Sequence, residues 1–399
     1  MVDRTFLQIP KISRSFIIVT MVTILLFKVC DVFLDLVVPY YPRQFPPGAT
    51  VRYISHDFDY VVSINKFGFR GEEASLEKGQ VMVFGDSFTF GFGVAQDYTW
   101  PSLLQAKLDS APDARVVYNL GVPGTDTLYH LRIARESLEY EPSIVILSVL
   151  LADDFQQVAE ALSRNKSGSR IETLEKRLIR NLKKVSKGIF PGIYKVYAKI
   201  RYVQQPSNEE SASGSIVVTD DWKQQMTNRY GQAIERLPVD LQKAVLAGRI
   251  NPGLFHFAAK YPERSWKFWL DLESGIQSNV EAVEEIKLQL KSLSEEIADY
   301  GGTLIVYSMP SGEFVDSAFT QNYRLYGASI PASNLETEIP EYVLKSIAIG
   351  AGTRFLPALG TFRSNRTEEL FYPTDGHLNI AGSRLVADSL FDYITSNDL

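Results

Sequence analysis

Apolar and polar positions along this chain change their spacing at definite points, and each spacing predicts an element. Residues 15–27 carry no charge and are mostly apolar, which predicts a helix of about 20 Å. Residues 51–64 alternate as a half-buried strand does, and Asn65-Lys-Phe-Gly-Phe-Arg-Gly71 reads as a turn. A strand is predicted over 80–84, a helix over 97–109, a strand over 115–119 and a helix over 126–139. The unbroken apolar run 144–151 predicts a strand buried on both faces. After an interruption at 156–275, a helix over 276–299 stops at Gly301-Gly302, a strand comes next over 303–308, and a last helix covers 380–395. Apolar strands separated by helices imply an α/β fold, a three-layer flavodoxin-like parallel sheet with helices on both faces. Functional groups then belong at the carboxyl ends of the strands.

Composition narrows the class. A chain of 399 residues, 45% hydrophobic and 22% charged, can bury a large core. The net charge of -6 gives no reason to expect nucleic acid as a partner. Cys30 is the only cysteine, which excludes an intrachain disulfide and a cysteine-based metal site.

Arg4, Lys11 and Arg14 precede the uncharged run and predict a cytoplasmic tail at 1–14. Residues 15–38 are then a transmembrane signal anchor, 39–50 a proline-rich linker, and the remainder periplasmic, on a single-pass protein of the inner membrane. Because the uncharged run is shorter than a bilayer core of about 30 Å, residues 32–38 must complete the span or the flanks must snorkel. No small-residue cleavage site comes after Phe27, so the anchor is expected to be retained. Lys28, Asp31 and Asp35 share one helical stripe, which either meets a membrane partner or packs on the soluble part. The main domain is expected at 51–155 and 276–399, with 156–275 as a mainly helical insertion. Within the insertion, residues 164–203 hold twelve Lys or Arg against Glu172 and Glu175, a basic amphipathic pattern that suits either anionic lipid or a solvated helix face.

Four blocks carry candidate chemistry. Gly85-Asp86-Ser87 closes the strand at 80–84 and puts a hydroxyl where the next helix's first amides favour negative charge, the place for a nucleophile. Asn119 to Gly124 comes after the second strand, Leu151-Ala-Asp-Asp154 after the third, and Asp375-Gly-His377 precedes the final helix.

In this order the blocks resemble the SGNH (GDSL-type) hydrolase superfamily, and are most similar to its membrane-anchored bacterial members, which carry a segment like 65–71. The resemblance covers 60–155 and 276–396. It implies that Ser87 is the nucleophile, His377 its general base and Asp375 the acid that orients the imidazole. Spacing of two residues between acid and base, one fewer than the family pattern, suits this only if the segment is a loop, as Pro373 and Gly376 suggest. The resemblance assigns the oxyanion donors to the amides of Ser87 and Gly124 and to a side-chain amide at 153. Here position 153 is aspartate, and Leu151 replaces the usual glycine. An ionised Asp153 would repel an oxyanion. Either crowding by Asp154 keeps it protonated, or it points away and two backbone donors suffice.

Asp86, Asn119, Asp154 and Asn379 are expected to support the site. Arg70 either contacts an anionic substrate group or bonds the carbonyls of a tight loop. Trp100, Tyr129, Phe371 and Tyr372 form a sugar or acyl platform or belong to the core. His56, His130 and His256 show no ligand spacing, so neither metal nor cofactor is expected. The reading is a membrane-anchored serine esterase acting on acyl esters of an envelope glycan or lipid through an acyl-serine. Alternatives are an O-acyltransferase of an extracytoplasmic polysaccharide beside a membrane acyl-donor partner, and a degenerate glycan-binding or assembly protein. The acid-histidine block lies at the C-terminal end, and that order favours the esterase.

Overall fold

The structure, a computed structural model, describes residues 14–37, 48–71, 77–110, 114–171, 220–250 and 264–399, with Phe45, Gly192, Ile193, Val196 and Leu254 as isolated positions. The basic segment beyond residue 171, His256 and most of the expected linker lie outside the described residues. The chain divides into two compact units, 1–41 with 169–206, and 42–168 with 207–399.

In the first unit, helix α1 spans Arg14–Val37. Ile18, Met21, Leu25 and Phe27 are each more than half exposed. Among the described side chains of α1, Asp31 is the buried one, taking Lys28 Nζ at 3.1 Å and the amide of Ile193 at 2.9 Å. The expected transmembrane helix needs correction on this point: among the described residues, no helix is long and apolar enough to cross a membrane. The uncharged run ends at Lys28, and Asp31 and Asp35 interrupt the apolar residues beyond it.

In the second unit, strands β1 (Thr50–Ile54) and β2 (Asp59–Ser63) form an antiparallel hairpin. The five-stranded sheet is built from β3 (Val81–Phe84), β4 (Val117–Asn119), β5 (Ile144–Leu150), β6 (Thr303–Met309) and β7 (Arg354–Leu356). Every neighbouring pair is parallel, in the order β4-β3-β5-β6-β7. Numbered within the sheet this is 2-1-3-4-5, the flavodoxin-like order, whose switch point lies beside β3. β3 and β5 are buried along their whole length, which accounts for their unbroken apolar runs.

Helices α2 (Ser87–Phe90), α3 (Trp100–Leu108), α4 (Thr127–Glu136) and α5 (Asp154–Ile171) come after the first strands. The insertion supplies α6 (Asp220–Glu235), α7 (Val239–Leu246) and α8 (Arg264–Glu273). Met226, Ile234, Leu237, Val245 and Ile250 gather there with Tyr326 in a satellite core. Helix α9 (Gln277–Ala298) leads into β6, and α10 (Ser317–Leu325), α11 (Ile339–Gly350), α12 (Leu359–Ser364) and α13 (Ile380–Ser396) complete the chain. The pattern of the sequence predicts neither β7, three partly exposed residues at the sheet edge, nor α10 to α12.

Candidate active site

At the end of β3 the chain turns directly into α2. Asp86 caps that helix, its Oδ1 accepting the Phe88 amide at 2.9 Å, and Gly91 ends it in the left-handed region at φ 83°. Ser87 is therefore the first helical residue and is half-buried at the sheet's carboxyl edge.

The other two side chains arrive on one tight loop. Phe371 and Leu378 pair across it, the Tyr372 amide donates to the His377 carbonyl at 2.8 Å, and the Gly376 amide donates to the Tyr372 carbonyl at 3.0 Å. Gly376 has φ 91°, and a Cβ there would meet the Tyr323 hydroxyl at 2.8 Å, so the turn needs glycine. This geometry turns Asp375 back on its neighbour. Asp375 Oδ1 lies 2.5 Å from His377 Nδ1, and His377 Nε2 lies 2.7 Å from Ser87 Oγ. With Nδ1–H donating to the carboxylate, Nε2 is left to accept the hydroxyl proton. The imidazole is fixed between two rings, Phe88 at 5.0 Å and Phe92 at 4.9 Å between centroids. At 21% exposure the histidine side chain is still reachable from outside.

The block after β4 packs beneath the nucleophile. Val122 donates to the Gly85 carbonyl at 2.8 Å, and a Cβ at Gly121 would collide with the Phe90 backbone. Asn119 sends Nδ2 to the Phe90 carbonyl at 3.3 Å and accepts the Gly121 amide at 3.0 Å. Gly124 stands at φ 72°. Among the described residues, neither the Ser87 nor the Gly124 amide donates to a protein acceptor, which leaves both available to an incoming oxygen.

The acids after β5 diverge. Asp154 is buried, and its Oδ2 joins the Leu150 amide at 2.9 Å to the Thr127 hydroxyl at 3.1 Å. Its Oδ1 has no partner, and burial, reinforced by Asp86, pushes this carboxyl well above the usual carboxylate range. Asp153 is half-buried and close enough for its charge to act on Asp86. Burial pushes Asp86 up to about 6, opposed by the Phe88 amide and the His377 charge and reinforced by Asp153.

Arg70 is buried and serves the loop after α2. It reaches the carbonyls of Phe90 at 3.2 Å, Gly91 at 2.6 Å and Val94 at 2.5 Å, and Gln96 Oε1 at 3.0 Å. Burial pulls its guanidinium down to about 10. It therefore contacts loop carbonyls, not an outward-facing anion site. Asn379 caps α13 through the Gly382 amide at 3.0 Å. Trp100 and Phe371 are core, Tyr129 is half-buried, and Tyr372 ties its loop to the Gly93 carbonyl at 2.9 Å. His130 is buried and pulled down to about 3 by burial, so it is neutral and bonded to Thr125 at 2.8 Å. His56 is exposed.

Residues 83–245 match the family model described as GDSL-like Lipase/Acylhydrolase family. This segment is similar to the GDSL-type (SGNH) hydrolases. The matched segment contains Ser87, Gly124 and Asp153, while Asp375 and His377 lie beyond it. No curated protein matches. Similar solved structures include TesA (9% identity, 79% of this chain and 98% of that one, TM-score 0.37). The acetyl xylan esterase AlAXEase is another (11%, 79% and 99%, 0.37), as is the esterase EstA from Pseudoalteromonas sp. (11%, 80% and 98%, 0.33).

One side chain near the site is not singled out by any sequence pattern. Asp57, at the tip of the β1–β2 hairpin, accepts the amides of Thr374 and Asp375. The only sequence signal is local: Ser55-His-Asp-Phe58 is turn chemistry, with Ser55 Oγ taking the Asp57 amide at 3.0 Å. A cavity of about 160 Å³ borders this acid side, walled by Tyr53, Phe58, Phe92, Arg249, Thr374 and Asp375.

Proposed function

We propose that the GDSL-type domain is a serine esterase working through an acyl-Ser87 intermediate. The observation that carries this reading is the unbroken contact from Asp375 through His377 to the Ser87 hydroxyl. Ser87 Oγ attacks the ester carbonyl carbon while its proton passes to His377 Nε2. The amides of Ser87 and Gly124 receive the oxyanion. Collapse expels the alcohol, which takes the proton from His377, and leaves the acyl group on Ser87. Water then attacks that ester, His377 again accepting and returning the proton, and the carboxylic acid departs.

The proposal extends to location and substrate. The exposed apolar surface of α1 supports attachment to a membrane. A domain held there would act on acyl esters of an envelope glycan or lipid. Hydrolysis of a chromogenic acyl ester by the purified full chain tests the reaction: turnover lost in Ser87→Ala is expected. Release that appears only when a sugar acceptor is added would point to acyl transfer, and no release at all would contradict the enzyme.

A further inference from the structure

One carboxylate in this molecule is spent on the backbone of the loop that carries the acid and base. Asp57 Oδ2 accepts the Thr374 amide at 3.0 Å and the Asp375 amide at 2.6 Å. Nothing else in the hairpin calls for an acid at this point. Its turn is closed by the Ser55 amide on the Phe58 carbonyl at 2.8 Å and by Ser55 Oγ on the Asp57 and Phe58 amides at 3.0 and 3.3 Å. Burial, helped by the neighbouring Asp375, pushes the Asp57 carboxyl up despite the amides that favour its charge. Folding has thus placed an acid beside another acid at an electrostatic cost, and the return is two main-chain bonds to the active-site loop.

The loop has other restraints on this side, among them a side-chain bond between Tyr326 and Thr374. Tyr323, on α10, reaches the Asp375 carbonyl at 3.4 Å, and Asn322 reaches the Pro373 carbonyl at 3.1 Å. The hairpin tip is itself held from behind, since the His56 amide donates to the Arg249 carbonyl at 2.7 Å, just after α7. A chain of hydrogen bonds therefore runs from the insertion through the hairpin to the loop. Asp57 is its last side chain.

We propose that Asp57 is a positioning residue that fixes the Asp375–His377 loop so that the imidazole stays aligned on Ser87. This inference rests on the serine-esterase reading above. Its action is indirect: no proton or substrate atom passes through Asp57, and what it supplies is a double acceptor at a fixed place. Displacing the loop disturbs both the acid-base and base-nucleophile contacts, and a misplacement of about 1 Å can cost about a hundredfold in rate.

The experiment compares wild type, Asp57→Asn and Asp57→Ala in the full chain. It measures the rate of Ser87 modification by a fluorophosphonate, with kcat and KM on a chromogenic acyl ester and a thermal melt for each. An asparagine oxygen can still accept both amides, so Asp57→Asn should keep labelling and kcat within about threefold of wild type. Asp57→Ala should lose at least about tenfold in both, at unchanged KM. If Asp57→Ala fails to fold, Asp57→Asn and Asp57→Gln decide: the longer Gln should lose at least about tenfold where Asn does not. Labelling of the alanine variant within twofold of wild type, or an asparagine variant as slow as alanine, overturns the inference while leaving the esterase intact. A wild type that the phosphonate never labels removes the esterase reading and this inference with it.

Discussion

His377 Nδ1 lies 2.5 Å from Asp375 Oδ1 although only Gly376 separates the two residues. So short a spacing works because the loop is bent through a left-handed glycine. The carboxylate holds the imidazole in the tautomer that leaves Nε2 facing Ser87. Asp375→Asn is expected to reduce kcat by about a hundredfold to ten-thousandfold with little change in KM, measured on a soluble acyl ester. A loss below about threefold would show that another group orients the histidine.

Asp86 gives a pH-dependent stability. Its carboxyl is pushed up to about 6 in the fold, against about 4 in an unfolded chain, so folding favours the protonated form. The stabilisation is complete below about pH 4 and is lost as pH rises through about 6. Asp86→Asn imitates the protonated acid and can still accept the Phe88 amide. Thermal melts should therefore show little difference from wild type at pH 4 and a more stable variant at pH 8, by about 3 kcal/mol. A variant less stable at both pH values would contradict this assignment.

Arg70 anchors the segment that carries Phe92, one of the two rings against His377. Replacing it with alanine removes the guanidinium bonds to three loop carbonyls, of which Phe90 keeps Asn119 Nδ2 and Gly91 keeps the Val94 amide. The expected cost is about 2 kcal/mol, read from the denaturant midpoint, with Arg70→Lys in between because a single ammonium cannot span the same fork. An unchanged midpoint in Arg70→Ala would mean that the loop is held by other contacts.

Much of this was legible in the residues. β3, β5 and β6 announce themselves as apolar runs because a parallel sheet buries both faces. Ser87 and His377 could be singled out because their motifs are local, one at the end of β3 and one just before α13. Contacts that depend on the folded path were not legible: Asp57 meets Asp375 across 318 positions, and a turn signal says nothing about what the turn touches. Adjacent acids posed a related problem. The sequence shows that Asp153 and Asp154 crowd each other, but the first turn of α5 decides that Asp154 faces inward to Leu150 and Thr127. β7 escaped because three residues at a half-exposed edge carry no period.

The charge of Asp153 acts on Asp86 beside the nucleophile, at a position where the resemblance to GDSL-type hydrolases leads one to expect an amide donor. Asp153→Asn removes that charge and supplies a donor, so ester hydrolysis should rise, by up to about a hundredfold. Steady-state rates on one ester at neutral pH measure this. An unchanged rate would mean that the side chain faces away from the reacting oxygen.

The most direct test of the account is reaction of the full chain with a fluorophosphonate, with peptide mapping of the adduct. The account predicts a single modified residue, Ser87, with no adduct in Ser87→Ala and labelling slowed at least about a hundredfold in His377→Ala. No adduct on the folded wild type, or an adduct on a different residue, would contradict it.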